Sequence, residues 1–399
     1  MKKRALLLSI GIVFLFCYSN LLHAAEVRGV TAKTVNIGCS VDLTGPSSFL
    51  GRGASAGAEA YFKYVNDRGG INGRKIKYIV EDNTYQPATA IAALKKLIYR
   101  DKIFALCFSW GSVTTLAIAD AVKTDNVPTI FYGHSEAVCT PPKRHIFSPQ
   151  TTSYRMSIGA ADYIMKELKP KDTKFACIYQ DDEFGKAGLR GFRDAAKFYG
   201  VEWVGEEHYK RGALDFTSQI LGLKKAGADY VYLAAVLTGG AGILREAKKL
   251  DWQPHFFGDS SMTDMKLLEL AGDSAEGYIG TSVQRNWGED TPSVKKVKTI
   301  MMKYRGDLGG MSTDFISPGY AEAMVMTEGL KRAGKDLTAD KLIRALESLK
   351  NFDPDGLIPS VTFGPDRREG GVGVRLVKPD FANKVFVQIT GWRTPELKQ

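Results

Sequence analysis

The chain has 399 residues, 44% of them hydrophobic and 25% charged, and 54 Lys and Arg against 44 Asp and Glu give a formal net charge of +10. This is globular composition, and at roughly 100–200 residues per domain it predicts two domains. The basic residues fall in scattered pairs, Lys95-Lys96, Lys224-Lys225 and Lys248-Lys249, as on solvated helix faces. They lack the clustering with interleaved aromatics of a nucleic-acid binder, so nucleic acid is not an expected partner.

Lys2, Lys3 and Arg4 precede an apolar run from Ala5 to Phe16, and Leu22-His23-Ala24 ends the stretch on a small residue. This is the layout of a secretory signal peptide over residues 1–24, cleaved near Ala24. The run falls short of the ~20 residues that a membrane span needs. Phe16 is too large for the position before a lipoprotein cysteine at Cys17. The expected mature chain is exported to the periplasm and soluble, and its 51 basic against 44 acidic residues give a net charge of +7. Cys39, Cys107, Cys139 and Cys177 remain in it. They form no CxxC pair, and no His stands at metal-ligand spacing, so neither metal nor cofactor is expected. An oxidising compartment permits disulfides, and three pairings are open.

In chain order, Thr34–Ser40 reads as a first strand, Asp42–Pro46 as a turn, residues 52–68 as a helix and Lys75–Val80 as a second strand. Pro87 starts a helix to about Tyr99, proline being favoured at the first helical position. Ile103–Trp110 is an apolar strand. Gly111 punctuates it, and Ser112 stands where an N-cap belongs. Ala117, Ile118, Ala121 and Val122 recur at helical spacing, and a second apolar run ends in Gly133-His134-Ser135. Such a strand–helix–strand unit favours a parallel sheet with a right-handed crossover. Ligands of such sheets bind beyond the carboxyl ends of the strands, which places Ser112 and Ser135 on one rim. Helix N-termini there offer free N–H groups and partial positive charge, suited to a carboxylate.

Residues 146–155 break the alternation and read as a crossing to another lobe. It restarts with helix 155–167, strand 174–180, helix 184–199, strand 201–208, helix 215–225, strand 229–235 and helix 241–250. Short strands near Phe256 and Tyr278 follow. Thr281–Trp287 reads as a return crossing, then come helices 293–306, 314–333 and 338–349. Val361–Gly364 is a third crossing, and residues 372–390 form a β-hairpin.

Six segments together are similar to the leucine/isoleucine/valine-binding, type I substrate-binding proteins of bacterial ABC importers. They are Leu43-Thr44-Gly45-Pro46 with Gly51; Val65–Arg74; Glu81-Asp82 with Pro87 and Ala88; Asp181–Gly185; Asp215-Phe216; and Ala275-Glu276-Gly277. The resemblance covers essentially the whole mature chain. It implies an α/β protein of two doubly wound Rossmann-like lobes joined by three hinge strands. Lobe 1 would comprise 27–150 plus 284–362, and lobe 2 would comprise 151–283 plus 363–399. It further implies a monomer that closes over a small carboxylate ligand and delivers it to ABC permease subunits. A receptor serving a separate membrane sensor is the alternative.

Carried over residue by residue, the family's carboxylate-binding serine falls on Ser112, with Thr114 two residues on. Its backbone-donor stretch falls on Gly133, His134 and Ser135, its first-loop apolar position on Leu50 beside Phe49, and its second-lobe aromatic on Phe184. Two positions depart from the pattern. The second-lobe tyrosine falls on Val236, and the acid that pairs with an amino acid's ammonium falls on Ser260, beside Asp259. A weakened ammonium clamp suits a plain aromatic or aliphatic carboxylic acid as well as a hydrophobic or branched-chain amino acid. Trp110, Phe49, Tyr132 and Phe184 would line an aromatic pocket for a bulky apolar ligand. No catalytic set accompanies these residues: Gly258-Asp259-Ser260 has no placed His base, Gly239–Gly242 lacks the Lys-Ser/Thr ending of a phosphate loop, and the chain is not expected to be an enzyme.

Overall fold

The computed structural model describes residues 27–308 and 313–397, so the expected signal peptide lies outside them. Among the described residues no helix is long and apolar enough to cross a membrane. Two parallel-dominated sheets form two lobes. The first has the order β2-β1-β3-β4-β5, all parallel, from β1 (Thr34–Val41), β2 (Lys75–Asp82), β3 (Ala105–Trp110), β4 (Thr129–Tyr132) and β5 (Ile146–Phe147). Helices α1 (Ser48–Asp67), α2 (Pro87–Lys95) and α3 (Ser112–Thr124) connect its strands. The chain then enters the second lobe through α4 (Ser153–Tyr163) and builds β6 (Lys174–Gln180), α5 (Glu183–Tyr199), β7 (Glu202–Tyr209), α6 (Thr217–Ala226), β8 (Tyr230–Ala234), α7 (Leu237–Lys249), β9 (His255–Gly258), α8 (Met265–Ala271) and β10 (Ile279–Ser282). It returns to the first lobe with α9 (Pro292–Tyr304), α10 (Ile316–Ala333) and α11 (Ala339–Glu347), and ends on the second with the hairpin β11 (Arg375–Asp380) and β12 (Val385–Gln388). The second sheet therefore runs β12-β11-β10-β9-β8-β6-β7, its last two strands antiparallel.

Residues 361–364, expected as a crossing, stay in the first lobe, where Val361 and Phe363 join the core packed on β1 and β3. The strand-like passage lies later: Ser148 pairs with Glu369, and the Gly371 N–H donates to the Pro149 carbonyl. Strand β5 and helix α8 were not foreseen; two and seven residues are too short for a period to show. The run Gly239–Gly242, at the expected start of helix 241–250, sits inside α7, where side chains added at its three glycines would strike Tyr209, Met262 and Phe216. The four cysteines among the described residues are free thiols, each buried, Cys39, Cys107 and Cys177 lying in strands. Burial pushes Cys39 and Cys139 up to about 12, which makes them inert.

In the first lobe α10, buried on nearly every side, crosses α1 along a face of small residues. The backbones meet closely enough that a Cβ on Gly319 would overlap the Ala54 carbonyl, and one on Gly57 the Ile316 carbonyl. Overpacking of this kind typically costs 1–3 kcal/mol. Gly319→Ala is accordingly expected to lower unfolding free energy by about 1–3 kcal/mol, read as a lower midpoint in urea at unchanged slope.

Candidate ligand-binding site

The first residue to be positioned is Trp110. Against β4, Cys107 pairs with Ile130 and Ser109 with Phe131, so Phe108 is an extra residue in the ladder, held at φ +108. The same slip appears against β1 between Gly38 and Ser40. A bulge reverses which face the following side chains take. Ser109 thus turns toward α3, its hydroxyl 2.7 Å from that of Thr115, and Trp110 turns to the opposite face. There its indole Nε1–H donates to Ser47 Oγ at 2.9 Å, and its ring stacks on Tyr132 at 4.7 Å and meets Phe315 at 6.0 Å.

The strand then breaks at Gly111, at φ +92, where a Cβ would strike the Tyr85 ring. Gly111, not Ser112 as expected, is the N-cap of α3, and no side chain caps that helix. The first-turn N–H groups at Ser112 are left for another partner. The Ser112 hydroxyl accepts from the Ser135 N–H at 3.2 Å, which ties the two strand ends together and leaves its own proton to donate. The imidazole Nδ1 of His134 is 2.9 Å from the Thr151 carbonyl, an acceptor only, so Nδ1 carries a proton. In the neutral ring Nε2 then accepts from Ser260 Oγ, 3.3 Å away in the other lobe.

A cavity with about 380 Å³ of atom-free space, part of it open to solvent, lies between the lobes. Of the residues expected at the site, Leu50, Trp110, Ser112, Tyr132, Gly133, His134, Phe184 and Val236 line it. Five stand behind the wall. The Thr114 hydroxyl donates to the carbonyls of Trp110 and Gly111. Ser135 supplies the N–H to Ser112, and Phe49 lies under the Lys266 ammonium at 5.8 Å. Ser260 holds His134, and Asp259 accepts from the Ser153 hydroxyl at 2.6 Å and from the Ser261 N–H and hydroxyl. Ser47, Tyr85, Gly111, Ser261 and Phe315 also line the cavity and were not named in advance. Ser47 and Phe315 sit at the N-caps of α1 and α10, a placement that only the tertiary fold reveals.

The polarity is one-sided. No Asp, Glu, Lys or Arg lines the cavity, and His134 is its one imidazole. Three carboxylates beside lining residues are already engaged: Asp42 accepts from the Ser47 hydroxyl and from two N–H groups, Asp259 as described, and buried Asp182 caps α5 by accepting from Phe184 and Gly185 N–H. Burial raises Asp182 above the ordinary carboxylate range. The lobes also touch at the edge of the cavity and beyond it. The Arg211 guanidinium sits 4.9 Å over the Tyr85 ring and donates to its carbonyl, and Arg190 pairs with Glu136.

The sequence model of the periplasmic binding protein family matches residues 34–383, and the chain belongs to that family. It is 24% identical over 356 residues to the leucine-, isoleucine-, valine-, threonine- and alanine-binding protein of Pseudomonas aeruginosa, covering 85% of this chain and 90% of that one. It is likewise 24% identical over 316 residues to the Leu/Ile/Val-binding protein of Escherichia coli, over 79% and 84% of the two chains. Two solved structures superpose with a TM-score of 0.83 at 26% identity. One is a fatty acid ABC transporter substrate-binding protein from Thermomonospora curvata, over 93% of this chain and 95% of that chain. The other is a branched-chain amino acid ABC transporter protein from Thermus thermophilus with bound valine, over 92% and 98%. These relatives are solute-binding proteins, not enzymes.

Trp110→Phe keeps an aromatic ring in the stack and removes the donor to Ser47. It is expected to cost about 0.5–1.5 kcal/mol of stability, visible as a lower melting temperature of the ligand-free protein.

Proposed function

We propose that this chain is the extracytoplasmic solute-binding subunit of an ABC importer, and that its ligand is a small carboxylic acid with an aromatic or bulky aliphatic body and no ammonium group. The observation that carries this reading is the one-sided polarity of the cavity. An uncapped helix N-terminus and the Ser112 hydroxyl offer donors, while Asp42, Asp182 and Asp259 already accept from serine hydroxyls, the Gln180 amide or backbone N–H groups. A carboxylate is stabilised there by the helix dipole and charge-assisted hydrogen bonds. An ammonium would be desolvated without an anionic partner, which is costly. Tyr85, Trp110, Tyr132, Phe184 and Phe315 supply the apolar wall.

Ser112 and Gly133 come from one lobe, Phe184 and Val236 from the other. The acid is captured on the first lobe, and closure adds the second wall and excludes water. The closed form is selected because only it touches ligand from both sides. A membrane permease then takes the closed, loaded form. A branched-chain amino acid is the second reading; the names of the Pseudomonas and Escherichia relatives and the valine bound to the Thermus protein favour it.

Thermal shift against phenylacetate, benzoate, isovalerate, phenylacetamide, leucine and valine decides between them. Phenylacetate or isovalerate is expected to raise the melting temperature more than leucine, and phenylacetamide not at all; a larger shift with leucine overturns the reading. In calorimetry Ser112→Ala is expected to weaken the acid by about 1–3 kcal/mol, since it unpairs a charged acceptor. Unchanged affinity would remove Ser112 from the site.

A further inference from the structure

Two buried aspartates meet where the lobes join, away from the cavity lining. Asp264 precedes α8 in the second lobe and is fully buried; Asp314 stands at the start of α10 in the first and is 3% exposed. One oxygen of Asp264 accepts from the Thr313 hydroxyl at 2.6 Å and the Asp314 N–H at 2.8 Å, both across the interface. Its other oxygen accepts from the Lys266 N–H at 2.8 Å within its own lobe. The Asp314 carboxyl accepts from the Trp287 N–H, in the segment returning from β10. Asn286 beside it donates to the Thr263 carbonyl at 3.0 Å, so the cluster spans a hinge connection.

We propose that lobe closure in this protein takes up a proton at the Asp264–Asp314 pair, so that ligand affinity falls as pH rises. The inference rests on the closure step of the proposed function and not on the identity of the acid. In the closed arrangement both carboxyls are out of water, and two like charges so placed cannot both be ionised cheaply. Burial first, and Asp264 second, hold Asp314 well above the ordinary carboxylate range; burial raises Asp264 as well. The other charges facing the pair do not remove the need for a proton. Glu269 on α8 adds to the repulsion on Asp264 and is itself paired with Lys266. Arg375 on β11 favours the ionised form of Asp314, but it is paired with Glu289 and also donates to Asn286.

When the lobes part, water reaches both groups and their values return toward about 4. A group raised in the closed form supports closure fully below its open-form value, and loses that support as pH rises through its closed-form value. The pair's support for closure is therefore full near about pH 4 and is lost above it, and above about pH 5, where a carboxylic acid ligand is ionised, affinity declines by at most tenfold per pH unit for one proton.

Calorimetry with phenylacetate in two buffers of different ionisation enthalpy, on the mature chain between about pH 5 and about pH 8, measures the proton directly. Wild type is expected to take up a fraction of a proton, up to one, on binding. Asp314→Asn, which imitates the protonated carboxyl, is expected to take up correspondingly less and to bind more tightly than wild type at the upper pH. That gain is something a merely damaged variant would not show. Equal proton uptake in the two proteins, or none in wild type, overturns the proposal. Small-angle scattering of the ligand-free chains is the second arm: wild type is expected to be more compact at the lower pH, and Asp314→Asn equally compact at both. If phenylacetate does not bind, the ligand reading falls and the scattering arm decides this one alone, a pH-independent wild-type radius overturning it.

Discussion

One bulged residue sets the geometry of the cleft. Phe108 holds a conformation that bulky residues rarely adopt, at a cost of order 1–3 kcal/mol. The stack it forms with Trp110 and Tyr132, their rings nearly parallel, offsets part of that cost. Without the extra residue the strand's alternation would point Trp110 at α3 and Ser109 at the cleft. The indole would then lose Ser47 and Phe315, which anchor the starts of two helices from distant parts of the sequence. The strain at Phe108 is thus converted into the placement of an aromatic floor beneath a helix N-terminus.

Around that floor the polar groups sort by role. Serines at the cavity edge spend their hydroxyl protons inward: Ser47 on Asp42 and Ser261 on Asp259. This hides two carboxylates that would otherwise repel an anion, and leaves Ser112 as a serine whose proton is free to face a guest. His134 ties the first lobe to the second through Ser260 and to the hinge through Thr151, so the wall, the hinge and the opposite lobe share one side chain. The pocket's chemistry and the machinery of closure are therefore not separable modules.

The alternation of strands and helices carried most of the architecture, because the hydrophobic periods of elements such as β6 and α5 are long enough to show. Ser112, Gly133 and His134 could be placed from their position after parallel strands, where ligands of such sheets bind. What the sequence concealed depends on tertiary register. The bulge at Phe108 has no local signature, so neither the face taken by Trp110 nor its bond to Ser47 was visible. Ser112 looked like a cap because serine usually is one; the positive φ at Gly111 moved the cap back by a residue. Asp259 looked like a ligand partner beside Ser260, but the Ser153 and Ser261 hydroxyls that claim it lie on separate turns of the fold.

The closely packed crossing of α1 and α10 joins residues from the beginning of the chain to residues some 260 positions later. The second lobe, apart from its terminal hairpin, is one continuous stretch, whereas the first is completed only after that stretch has been made. During synthesis the first sheet must wait, one apolar face covered only in part by α1, until α9, α10 and α11 arrive. Long-range closure of this sort is slow and leaves surfaces open to misassembly. The chain's order of assembly is thereby written into its topology: the inserted lobe first, the lobe that begins the sequence last.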